Sequence, residues 1–356
     1  MRSVAPSHLW PGVPLALGSA VLFGATAPLS KLLLGKVDAQ LLAGLLYLGA
    51  GVGLMIVHVS RRVVGVPTPE APLRRGDMPW LAAIILFGGV LGPVLLMLGL
   101  NLTDAATGSL LLNLESLATM GIAWIVFREN VDGRLILGAF AILLGAMVLS
   151  WEGRGLSVDA GAALIAAACL AWGIDNNLTR KLSSADPVQI AMAKGLVAGV
   201  VNVGISLLRG VAPPEWSVAG AAGVVGFFGV GVSLVLFVLA LRHLGAARTG
   251  AYFSLAPFIG ALVALELLRE PLTLQLVVAG VLMGIGLWLH LAERHLHDHT
   301  HEAIEHEHGH SHDEHHAHNH DASAAEKHSH HHRHDPLEHV HPHYPDLHHR
   351  HSHKHP

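Results

Sequence analysis

Windows of about 20 apolar residues, the length that crosses a hydrocarbon core roughly 30 Å thick, recur almost without pause along this chain. Ten are read from the sequence, at 13–34, 39–59, 79–100, 106–127, 132–151, 159–180, 188–208, 217–240, 247–268 and 272–292. The fold class predicted is an all-α polytopic membrane protein of ten transmembrane helices. Only 13% of the residues are charged, against about 25% in soluble domains, so the apolar length has no aqueous fold to enter. Trp10, Trp80, Trp151 and Trp216 sit at span edges, as an interfacial aromatic belt requires. The first run, preceded by Arg2 and followed at once by more spans, reads as a retained span and not as a cleaved signal. The single cysteine, Cys169, lies within a span and can form no intramolecular disulfide.

The second half repeats the first. A shift of 141 residues lays the segment 104–116 over 245–257, Phe127-Arg128-Glu129 over Leu268-Arg269-Glu270, and Gly145 over Gly286. A shift of 149 matches Gly24, Leu29 and Gln40 with Gly173, Leu178 and Gln189. The unit is five spans long, and an odd number of spans per unit makes the second copy enter the membrane from the opposite side. Two inverted five-helix repeats are therefore expected, 1–151 and 152–292, with a substrate site between them near the midplane. If the N-terminus is inside, the inner segments hold Arg2, Arg61, Arg62, Arg74, Arg75, Arg128, Arg134, Arg180, Lys181, Arg242 and Arg248. The outer ones hold only Lys31, Lys36, Arg154, Arg209 and Arg269. Both termini are thus expected to be cytoplasmic, in a cytoplasmic (inner) membrane.

Residues 293–356 differ in kind. The chain has 29 histidines, and 26 of them lie from His290 onward. His306, His308, His310 and His312 alternate with other residues, and His315, His316, His318 and His320 follow closely. Imidazole is the commonest side-chain metal ligand, so these residues are candidate ligands for Zn, Ni, Co or Cu, held loosely because no fixed spacing or cysteine defines a closed site. With twelve Asp and Glu against five Lys and Arg from Leu291 and few core-forming residues, the tail is expected to be disordered.

Ionisable groups at bilayer depth are functional candidates by default. Glu115 lies deepest in the fourth span, where a low dielectric favours its protonated form. It reads either as a proton carrier or as a carboxyl bonded to a neighbour such as Asn113. Asp175 and Lys194 stand equally far from the centre of the turn joining the sixth and seventh spans, so they share a depth and can meet, as a structural ion pair or as a gate. Trp172 and Asn176 share a helix face at i, i+4, next to Asn177, and suit either pocket lining or helix packing. Lys31, Glu266 and Glu270 lie near span ends, where snorkelling to the interface makes a structural role sufficient. Within the spans no His, Cys or carboxylate is paired at helical spacing, which weighs against metal as the cargo.

The charged turns with glutamate that end each fourth span, Phe127-Arg128-Glu129-Asn130 and Leu268-Arg269-Glu270-Pro271, each precede a Gly-rich fifth span. With the sixth span from Leu170 to Lys181, they resemble the EamA family of the drug/metabolite transporter superfamily over about residues 13–292. That resemblance implies an uncoupled or proton-coupled exporter of amino acids, nucleotide-like metabolites or drugs, with a pocket between the halves. The family usually carries a proline within the fourth span of each repeat. Here the second copy has Pro257, while the first reads Leu114-Glu115-Ser116, which leaves the break in the first copy without its usual signal.

The function expected is secondary transport, as an exporter, of a small organic metabolite or toxicant, with divalent-metal efflux fed by the tail as the alternative. The expected partners are the lipid bilayer, a small-molecule substrate, divalent metal ions and a second copy of the chain as a homodimer, with no nucleic acid. No cofactor is required, and the lack of a nucleophile–base pair, phosphate loop or HExxH predicts that the chain is not an enzyme.

Overall fold

The computed structural model describes residues 11–65, 73–127, 133–151, 159–179, 182, 186–244 and 246–291, with four short segments of the tail. All ten spans are present as helices. The first is Gly12–Leu34, the second Ala39–Val63, the fifth Gly133–Leu149, the sixth Ala160–Thr179, the seventh Pro187–Leu208 and the tenth Leu274–Leu291. The third and eighth each contain a π-helical stretch, at Ile85–Leu91 and Phe227–Val232. The fourth and ninth are each broken, into Ala105–Leu111 and Leu114–Phe127, and into Ala246–Phe253 and Ala256–Leu267. Among the described residues six helices are long and apolar enough to cross a membrane, and outward-facing Val200, Phe140 and Trp288 give the bundle an apolar exterior.

Taken span by span, the major helix contacts between the halves have counterparts under exchange of the repeats, although in the fourth–ninth pair it is the first half of the fourth that packs on the second half of the ninth. The third and fourth spans pack on the sixth, and the eighth and ninth pack on the first. The second packs on the seventh, the fourth on the ninth and the fifth on the tenth, pairs that the exchange returns to themselves. The last pair displays the symmetry residue by residue. A Cβ added to Gly145 would stand 2.7 Å from Met283 and 3.0 Å from the carbonyl of Ala279. One added to Gly286 would stand 2.7 Å from Ile142 and 2.6 Å from the carbonyl of Gly138. The shift of 141 residues turns one set of neighbours into the other. In lipid, apolar side chains gain little by leaving their surroundings, so close backbone approach through small residues carries helix association.

The helix ends are closed by side chains. Asp38 accepts from the backbone amides of Gln40 and Leu41, and Asp186 from that of Val188, so each repeat caps its second span with an aspartate. The turn between the third and fourth spans is gripped from both sides. Lys31 donates to the carbonyls of Leu100 and Thr103, and Glu270 accepts from the amides of Ala105 and Ala106 at 2.8 Å each. A cation on a C-terminus and an anion on an N-terminus both complement the helix dipole. Lys31 and Glu270 are thus structural as expected, by capping helices and not by snorkelling.

In the tail, Asp298–Thr300 (β1) pairs with Glu338–Val340 (β4), and Ile304–His310 (β2) with His328–His334 (β3), both antiparallel. The β2–β3 register sets His306, His308 and His310 opposite His332, His330 and His328. Paired strands were not part of the disorder expected from composition; the two-residue alternation of histidine matches the period of a strand. His312, His315, His316, His318 and His320, and the loop charges Arg128, Glu129, Arg154, Arg180 and Lys181, lie outside the described residues.

Candidate functional site

The third span deviates from α-helix for a reason written in its sequence. Pro93 has no amide hydrogen, so the carbonyls it would pair with, Gly89 in an α turn and Gly88 in a π turn, are left without that donor. The amide of Gly92 goes to Phe87, which is the π pattern, and so does not serve Gly88 either. Buried carbonyls need partners. Gly88 O accepts from the Tyr47 hydroxyl at 2.7 Å and from the Trp172 indole Nε1 at 3.1 Å; Gly89 O takes the Asn202 amide at 3.4 Å. Side chains from the second, sixth and seventh spans thereby converge on one irregular turn of the third.

Asp175 and Lys194 meet behind that turn, with Nζ 2.5 Å from Oδ2 and side-chain exposures of 7% and 17%. Counting outward from the loop gave their common depth correctly. The pair leans on Gly88, where any Cβ would collide with both the carboxylate and the ammonium. Thr179 adds a long hydrogen bond to Asp175 Oδ1 at 3.4 Å.

Glu115 is held by the next residue of the sixth span. Asn176 donates to Glu115 Oε1 at 2.9 Å and reaches Thr119 Oγ1 at 3.2 Å, while Asn177 donates to the carbonyls of Thr119 and Gly173. Asn113 is not the partner of Glu115. It donates to the carbonyl of Leu110 at 2.8 Å and reaches Met283 Sδ at 3.8 Å, and Ser116 donates to the carbonyl of Asn113. These side chains satisfy the broken fourth span without a proline. The break therefore exists in both repeats, at Leu112-Asn113 and at Ser254-Leu255, one register apart.

Between the halves lies a small cavity, about 430 Å³ when its opening to solvent is counted. Phe23 and Thr26 of the first span, Tyr47 of the second, Met97 of the third, Trp172 of the sixth and Val230 of the eighth form much of its wall. None of its lining residues is acidic or basic. Of the span residues singled out in the sequence, only Trp172 lines it. Glu115, Asn113, Asp175, Asn176 and Lys194 lie in the surrounding helix contacts. Tyr47 went unnoticed, although a lone tyrosine in an aliphatic span and a Gly-Gly pair one helical turn before a proline both mark the place. Among the described residues no three His, Cys, Asp or Glu side chains come together in a geometry that could hold a metal ion.

The match to known proteins covers the same two halves. The EamA-like transporter family matches twice, at residues 10–151 and 159–292. An uncharacterized transporter of Methanothermobacter thermautotrophicus is 31% identical over 298 residues, covering 79% of this chain and 86% of the relative. The uncharacterized transporter YyaM of Bacillus subtilis is 23% identical over 76% of this chain and 90% of its own length. A solved crystal structure superposes with a TM-score of 0.58 at 19% identity, covering 78% of this chain and 95% of that one, a likeness of fold. With two matched copies, inverted ten-helix architecture and a cavity where the copies meet, the chain belongs to the EamA-like transporter family of multi-pass membrane proteins.

Proposed function

We propose that the protein exports a small, largely apolar organic metabolite or toxicant across the cytoplasmic membrane, by alternating exposure of the cavity between its two repeats. The observation that carries this reading is the cavity wall. It is aromatic and aliphatic, it draws on both halves, and it bears no charge, so it suits an organic solute and offers no ligand shell for an ion. The tail is a separate, cytoplasmic metal-binding segment that takes up Zn, Ni, Co or Cu at its histidines and tunes the carrier. Support for that comes from the 26 histidines and from the register that sets His306, His308 and His310 opposite histidines of β3.

Proteoliposomes carrying the full chain or a variant without residues 296–356 separate this from metal efflux. Movement of apolar organic dyes should survive the deletion, and Zn²⁺ flux should be absent from both preparations. Zn²⁺ flux that needs the tail would sink the organic-solute reading and establish the metal one.

A further inference from the structure

Resting on the cavity as the solute site, we infer that Tyr47 and Trp172 form an acceptor-recognition subsite, which selects solutes carrying a carbonyl-type oxygen on an apolar body. Two donors on the cavity wall, from opposite repeats, converge on one oxygen, with Tyr47 Oη at 2.7 Å and Trp172 Nε1 at 3.1 Å from Gly88 O. That oxygen is a backbone carbonyl that Pro93 leaves without a helical donor, so it holds the two wall donors that a solute carbonyl would take over. The exchange leaves nothing orphaned. When a solute accepts from both donors, the Gly92 amide, now on Phe87, meets Gly88 as the third span relaxes from π to α register. Recognition is thereby tied to the shape of the third span. A carboxylate fits less well, because no charge lines the wall and the ammonium of Lys194 is closed on Asp175.

The test uses the full chain in lipid nanodiscs with ¹⁵N-indole tryptophan, the Trp172 resonance being assigned by its loss in Trp172→Phe. The probes are acetophenone and α-methylstyrene, which share a shape and differ in C=O against C=CH₂. Acetophenone should move the Trp172 indole signal and bind about fivefold more tightly, the worth of roughly one net hydrogen bond. Tyr47→Phe should abolish most of that preference and leave α-methylstyrene unaffected. Pro93→Ala supplies the missing amide to the glycine carbonyls, releases the two donors and should tighten acetophenone. Equal affinity of the two probes in the native chain, or a Pro93→Ala variant that weakens acetophenone as Tyr47→Phe does, overturns the subsite and spares the cavity. Binding of neither probe overturns both the subsite and the cavity as a solute site.

Discussion

The two π turns stand at register-equivalent positions and are furnished in opposite ways. In the third span Gly88 meets Asp175, Lys194, Tyr47 and Trp172; in the eighth, the atoms nearest to a Cβ at Gly229 belong to the side chain of Thr26 and the carbonyl of Leu22. The repeat shifts align Thr26 with Asp175, Phe23 with Trp172, Leu45 with Lys194 and Leu196 with Tyr47. Pro93 aligns with Leu234, so the eighth span keeps the amide that the third lacks. Where the first span meets the eighth and ninth the ring contacts are aromatic instead, with Phe253 tilted against Phe23 at 5.3 Å and edge-on to Phe237 at 4.8 Å. One backbone device thus serves as a polar latch in one half and an apolar hinge in the other. If the proposed alternating exposure holds, such unequal corners should open unequally toward the two sides, because the polar contacts must be broken together while the apolar ones slide.

The largest test of this contrast is steric. Gly88→Ala would drive a methyl into a partly buried ion pair, and a loss of about 3 kcal/mol or more is expected. Gly229→Ala meets the tip of one threonine and should cost about 1 kcal/mol. Thermal unfolding of the two variants in detergent decides it, and equal losses would erase the distinction between the corners.

Next in size is the charge pair itself. Asp175→Asn or Lys194→Gln leaves a partly buried charge alone, at an expected cost of about 3 kcal/mol, while the double variant should recover much of that. Folded yield and melting temperature of the three proteins provide the reading. A double variant no better than either single one would show that the two groups do not support each other.

The tail stands apart from both corners. Chelation or removal of residues 296–356 should leave the melting of the helical body unchanged, yet abolish Zn²⁺ uptake by the purified protein. Binding requires neutral imidazole, so it should hold above about pH 6.5 and fall away below it as the rings gain protons. Calorimetric titration on both sides of that pH checks the sign.

How much of this could be read in advance depends on what each contact is made of. Spans, inversion and the Asp175–Lys194 contact follow from counting, since apolar length and distance from a loop fix depth in a bilayer. The pairing of Asn113 with Glu115 failed because residues two apart on a helix do not face each other, and Asn113, lying in the break itself, turns toward Leu110 and Met283. Tyr47 was invisible for another reason: its partner is a backbone carbonyl, exposed by a proline in another span, and no side-chain pattern records that. The first-copy break was hidden in the same way, since Asn113 and Ser116 perform with side chains what Pro257 announces in the second copy.

The smallest expected effect sharpens the comparison most. Thr26 holds the position of Asp175, lines the cavity and makes its hydrogen bond only to Leu22 of its own helix, at 3.0 Å. Such back-bonding within a turn contributes little, because the Leu22 carbonyl already belongs to the helix ladder. Thr26→Val should therefore shift stability by no more than about 0.5 kcal/mol. It should also leave solute binding within measurement error, since the wall there is already apolar. If Thr26→Val instead destabilised the protein as far as Asp175→Asn, the Gly229 corner would be latched too. The unequal opening argued from the two π turns would then be wrong.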